Sequence, residues 1–144
     1  MRIEFEIDGE PIGKGRPRFV RTRTGGRAVT PSKTSAYENH VRAEYNRQVK
    51  DFRFGEDEML RMNVIAYFSI AQSKSKKMKH EMLLNNIRPT KKPDMDNILK
   101  IIADALNKVA YYDDKQIVEC RIKKYYSNTP KVKVEIEDIE KGNW

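Results

Sequence analysis

The sequence predicts an α+β (α/β-like) fold, a mixed β-sheet with two main helices packed on it. Three observations carry this. Apolar residues recur at every second position in four segments and at helical spacing in two others. The order of those segments is strand, helix, strand, helix, strand, strand. The 144 residues are enough for one core and leave little room for two, so residues 1–144 read as a single domain.

The elements follow in order. Ile3, Phe5 and Ile7 alternate with Arg2, Glu4, Glu6 and Asp8, which is a strand, and Asp8-Gly9 ends it. Residues 11–33 hold Pro11, Gly13, Gly15, Pro17, Gly25 and Gly26, and read as loop or irregular hairpin. A helix follows, capped at Thr30 or Ser32 with Pro31 in its first position, or by a capping box at Ser35 and Glu38. Its stripe is Tyr37, Val41, Tyr45, Val49 and Phe52, and Gly55 lies in the break beyond. Leu60, Met62, Val64, Ala66, Phe68 and Ile70 alternate as a second strand. Met78 to Asn86 reads as a short helix. The strongest helix carries Ile98, Ile101, Ile102, Ala105 and Val109 on one face. Val118, Cys120 and Ile122 then share one strand face, with Cys120 expected in the core. Ser127-Asn128-Thr129-Pro130 is a turn, and Val132, Val134 and Ile136 mark the last strand. Those last two strands are expected to pair as a hairpin.

Charge narrows the function. Lys and Arg number 29 against 21 Asp and Glu, a formal charge of +8. That excess favours a polyanionic partner, nucleic acid or an anionic membrane surface. A single cysteine, Cys120, excludes an internal disulfide and a multi-cysteine zinc site, and suits a reducing, cytoplasmic home. No apolar run reaches the roughly 18 residues of a membrane span, and the alternating N-terminus does not read as a signal peptide. His40 and His80 have no partner at ligand spacing and read as surface residues.

Two basic segments concentrate the charge. Residues 11–33 hold Lys14, Arg16, Arg18, Arg21, Arg23, Arg27 and Lys33 with no acid. Residues 71–92 hold Lys74, Lys76, Lys77, Lys79, Arg88, Lys91 and Lys92 against Glu81 alone. Solvated loop surface is the plain explanation; DNA phosphates are the natural ligands for so many unopposed cations. Tyr111, Tyr112, Tyr125 and Tyr126 are suited either to packing or to stacking on unpaired bases.

The acids are grouped differently. Asp94 and Asp96 open the strong helix, where capping is the ordinary role. Asp113 and Asp114 follow its far end, where an acidic turn is ordinary. The two pairs converge only if the chain returns toward the helix start. Carboxylates gathered in a basic protein would repel one another without a cation, and hard oxygen donors suit Mg²⁺, with Mn²⁺ as a substitute. Lys100 shares a helix face with Asp96 and Asp104, either as a surface ion pair or as a cation beside a metal site.

The run Lys92-Pro93-Asp94-Met95-Asp96-Asn97, then Lys100, then Asp104-Ala105-Leu106-Asn107, then Asp113-Asp114-Lys115-Gln116 closely resembles the RusA-type Holliday junction resolvases. Gly13-Lys14-Gly15-Arg16-Pro17-Arg18 and the segment from Thr30 to Glu38 resemble the phage and Gram-positive branch of that family. The resemblance implies a bacterial or phage protein. It implies a homodimeric, Mg²⁺-dependent endonuclease that cuts branched DNA at four-way junctions, with no membrane partner. It implies metal-binding catalytic acids at Asp94, Asp96 and Asp114, the last less secure against Asp113, and a catalytic lysine at Lys100. The DNA-binding cations expected are Lys14, Arg16, Arg18, Arg21, Arg23, Arg27, Lys91 and Lys92. The rival readings are a binding module of the same fold without cleavage and a metal-dependent nuclease for other branched nucleic acids.

Overall fold

A computed structural model describes residues 1–142 except Thr30, and leaves the side chain of Arg18 undescribed. Strands β1 (Arg2–Asp8), β2 (Arg18–Thr22) and β3 (Gly25–Val29) precede helix α1 (Ser32–Gln48). Strand β4 (Leu60–Phe68), helices α2 (Lys76–Leu83) and α3 (Met95–Ala105), and strands β5 (Ile117–Tyr126) and β6 (Lys131–Asp138) follow. The main sheet has the order β1-β6-β4-β5, and β2-β3 form a separate two-stranded ribbon. The sheet is mixed: β4 runs parallel to β5 and antiparallel to β6, and β1 is antiparallel to β6.

Period-two patterning sorts the two faces. Phe5, Val134, Val64 and Ile122 lie opposite one another across all four strands, on the face beneath α1 and α3. The other face is solvated and carries ion pairs such as Arg61 with Glu119 at 3.0 Å and with Glu137 at 2.9 Å. Helix α3 buries Ile98, Ile101, Ile102 and Ala105 completely. Each isoleucine so buried contributes about 1.5–3 kcal/mol relative to exposure. Helix α1 buries Tyr37, Val41 and Tyr45, and Tyr45 meets Phe5 edge to face at 5.3 Å. The helix ends before Val49 and Phe52, which pack against the core from the segment beyond it. Pro31 takes the cap position of α1 rather than the first helical one, with no side-chain cap bond; Ser35 is already inside the helix, and Thr30 lies outside the described residues. No described helix is long and apolar enough to cross a membrane.

Two expectations fail here. The last two strands are not a hairpin: β4 lies between β5 and β6. Residues 127–130 carry the chain across the end of β4, where the Ser127 amide donates to the Phe68 carbonyl at 2.9 Å. β4 alternates apolar residues along its whole length and takes the centre, whereas β5 carries Glu119, Arg121, Lys123 and Lys124 and takes an edge, where charge discourages further pairing. Cys120 is not core but exposed. The ladder pairs Leu60 with Ile117 and Arg61 with Glu119, so Val118 is an extra residue at a bulge and stands 51% exposed. Beyond the bulge Cys120 lines an open groove beside α3.

Candidate active site along helix α3

The site is built around the entry and outer face of α3. Asp94 is the cap residue of that helix, but its side chain makes no capping bond, so its carboxylate is left for other partners. Asp96 stands in the first turn. Lys100 and Asp104 follow at four-residue steps on the same face, their side chains 3.5 Å apart, with Lys100 63% exposed. Asp96, Lys100 and Asp104 wall a groove of about 300 Å³, together with Leu99, Ala103, Ile117, Cys120 and Asp114. Because β5 runs back along α3 from Asp114, one groove receives acids from both ends of the motif.

The neighbouring acids separate by role. Asp113 accepts from the Lys115 amide at 2.9 Å, and the Gln116 side chain accepts from the Asp113 amide at 3.1 Å, a reciprocal cap on the short turn at 114–116. The Lys115 bond lowers the Asp113 pKa. Asp114 is held differently: its amide donates to Asn107 Oδ1 at 2.7 Å and its side chain turns into the groove. Its pKa is raised, first by burial and then by Asp113 and Asp104, with Lys100 acting in the opposite direction.

Sequence reasoning gave Asn107 and Gln116 no role, yet both position this turn. Gln116 is buried and donates to the carbonyls of Gly55 and Glu58 at 2.8 and 3.1 Å, which ties the turn to the β4 approach. The Asp113-to-Gln116 spacing is the capping-box signal that points to it. Lys124 was missed too. It donates to the carbonyls of Lys91 and Pro93 at 2.6 and 3.1 Å and so fixes the turn bearing Asp94. Burial lowers its pKa against the pull of Asp94.

Asp94 opens toward a second, larger cleft of about 760 Å³, which is walled by Gly13, Lys14, Arg16, Lys33, Lys92 and Asn97 among others. The expected DNA-binding cations divide here. Arg16 and Lys92 line the cleft. Arg21, Arg23 and Arg27 are exposed on or at the tip of the β2–β3 ribbon, away from any carboxylate among the described residues. Lys91 stands over the rings of Phe68 and Tyr126 at 5.9 and 5.8 Å. The side chain of Arg18 lies outside the description. Lys14 is engaged in the frame: its ammonium sits 3.0 Å from Glu38 and 3.2 Å from Asp104. Burial opposes its charge, but the two carboxylates win and raise its pKa. Of the tyrosines, Tyr111 is core and donates to the Ala103 carbonyl at 2.6 Å. Tyr125 stacks on Tyr67 at 6.0 Å under Arg88.

The donor set can be tested against a metal. Among the described residues no three His, Cys, Asp or Glu side chains form a ready-made shell; the carboxylates are strung along the groove rather than gathered. Mg²⁺ does not require such a cage. It keeps several waters and is held through one or two carboxylates plus substrate phosphate oxygens. Asp96 and Asp114, hard oxygen donors on one open groove, fit that description.

The mixed sheet places a helix bearing Asp94, Asp96 and Lys100 beside the turn that carries Asp114, and comparison with known proteins shows the family of the chain. Residues 8–137 match the endodeoxyribonuclease RusA family, and the chain belongs to it. It is 31% identical over 137 residues to the uncharacterized protein YqaN of Bacillus subtilis, covering 95% of this chain and 96% of that one. It is 23% identical over 140 residues to the crossover junction endodeoxyribonuclease rusA of Lactococcus phage r1t, covering 96% and 98% of the two chains.

Proposed function

We propose that the protein is a Mg²⁺-dependent endonuclease that resolves four-way DNA junctions by paired phosphodiester cuts, one at each site of a homodimer. The observation that carries this reading is the meeting of Asp96, Lys100 and Asp114 on one groove. Asp96 and Asp114 hold the metal, with Asp94 next to them at the mouth of the basic cleft. When bound, the ion polarises the scissile phosphate and lowers the pKa of the attacking water. Among the described residues Lys100 pairs with Asp104 and is largely open to solvent, so its ammonium is free to meet a phosphate oxygen and stabilise charge as it develops. Arg16, Lys33 and Lys92 hold the DNA backbone leading to Asp94. A two-fold enzyme matches a two-fold substrate.

Cleavage of a synthetic mobile four-way junction, a fork and linear duplex, with and without Mg²⁺, tests the proposal. Paired, Mg²⁺-dependent nicks in the junction alone are expected. Faster cutting of the fork or duplex would make it a nuclease of different preference. Binding without cleavage under every metal condition would make it a binding module.

A further inference from the structure

We propose that the β2–β3 ribbon is a base-stacking arm, in which Phe19, seated on Gly26 and accompanied by Arg21, stacks on a base face left exposed at the branch point. This rests on the branched-DNA reading above. The ribbon's strands pair only with each other. Every residue from Phe19 to Ala28 is exposed. Phe19 is 74% exposed and Val20 41%. A single exposed apolar side chain is unremarkable on a protein surface. Three further facts set this one apart.

The first is that the ring has a seat. A Cβ on Gly26 would lie 1.7 Å from Phe19 Cζ and 2.3 Å from Cε1, so the far edge of the ring occupies the space that any other residue at position 26 would fill. The second is register. Phe19 pairs with Ala28 and Arg21 with Gly26, and alternation puts Phe19, Arg21, Gly26 and Ala28 on one face. That face offers one aromatic ring and one guanidinium over small residues. The third is charge. Arg21, Arg23 and Arg27 take no carboxylate among the described residues, so the ribbon is cationic on a strand pair that buries neither face.

These features select the ligand. Free guanidiniums call for phosphates. A phenyl ring has no hydrogen-bonding edge to read a base pair, but it stacks on any base whose face is open. Continuous duplex conceals its base faces, whereas a branch point exposes them. A two-stranded ribbon also fits the major groove, and the experiment separates that placement from stacking.

Binding of an unlabelled four-way junction and of linear duplex of equal length is measured without divalent cation for the wild type, Phe19→Ala and Phe19→Trp. Phe19→Ala is expected to weaken junction binding about tenfold or more, the scale of one lost stacked base, and to leave duplex affinity within about twofold. Its dependence on salt should keep the wild-type slope, since no phosphate contact is lost. Phe19→Trp should restore junction affinity, and, when the substitution is made together with Trp144→Phe so that position 19 holds the one indole, its emission should be quenched by the junction and not by the duplex. Equal losses for junction and duplex would place Phe19 in a groove and overturn the proposal. So would unchanged junction affinity in Phe19→Ala, or unquenched emission in Phe19→Trp. If the wild type cuts junctions while Phe19→Ala behaves identically, only the stacking arm fails. If the wild type neither binds nor cuts them, the branched-DNA reading fails with it.

Discussion

The Gly13–Gly15 strap and the β2–β3 ribbon come from one acid-free basic stretch and use their cations in opposite ways. In the strap, two glycines bring backbone against two helices. A Cβ on Gly13 would stand 2.8 Å from Pro93 Cβ, and one on Gly15 2.7 Å from Thr34 Oγ1. The Lys14 amide donates to the Asn97 carbonyl and the Gly15 amide to Thr34 Oγ1, both at 3.0 Å. Lys14 then clamps Glu38 of α1 to Asp104 of α3. In the ribbon nothing is clamped and the cations face water. The difference shows that a run of cations is not a uniform binding surface. Close packing and a carboxylate within reach turn a cation into frame; their absence leaves it for a ligand.

The strap is the more sensitive region. Gly13→Ala and Gly15→Ala should each lower stability by about 1–3 kcal/mol, the cost of overpacking a site with no room to yield, and thermal unfolding measures it. An equal loss from Gly25→Ala would need another origin, because a Cβ there meets nothing within 4 Å and the strain lies in its φ of +133°. Lys14→Met should lower stability by about 1.5 kcal/mol, because two half-buried carboxylates lose a charged donor. Its pH dependence has a defined sign. The pKa of Lys14 is raised on folding, so its contribution is complete below the ordinary lysine value of 10.5 and disappears as pH rises through the higher folded value. The stability gap between wild type and Lys14→Met should therefore close at strongly alkaline pH.

The smallest stability effect belongs to the ribbon. Replacing Arg21 and Arg27 together by Ala should leave unfolding unchanged and flatten the slope of log affinity against log salt by about two units, if each meets a phosphate. Lys14→Met should leave that slope as it is. A reversal of the two results would mean that the roles of strap and ribbon have been exchanged.

Particular residues show what the sequence makes legible. The stripe at Ile98, Ile101, Ile102 and Ala105 specifies a helix with one buried face, and the alternations in β1, β4 and β6 specify their buried faces, because these signals are local and periodic. The β5–β6 pairing was misread because turn chemistry at 127–130 reports a reversal of the chain and not which strand lies alongside. Cys120 does pair with buried Met62 on the helix-bearing face, but it stands on edge strand β5 where the groove beside α3 leaves it uncovered, and no local pattern reports that gap. The fate of Lys14 depends on Glu38 and Asp104, which lie far along the chain and meet it only in three dimensions. The acids at 94, 96, 113 and 114 were visible as a group. The division of labour between Asp113 and Asp114 depends on Asn107 and Gln116, whose hydrogen bonds turn one carboxylate into a cap and the other into the groove.

That division gives the most direct test of the site. Single-turnover cleavage of a four-way junction in Mg²⁺, at saturating enzyme, isolates the chemical step from binding. Asp114→Asn keeps the side chain's shape and should retain junction binding while cleavage falls by about 10² or more, the scale of losing one group that stabilises the transition state. Asp113→Asn keeps a capping oxygen and should cut at close to the wild-type rate. Wild-type cleavage by Asp114→Asn, or a loss confined to Asp113→Asn, would contradict the account of the groove along α3.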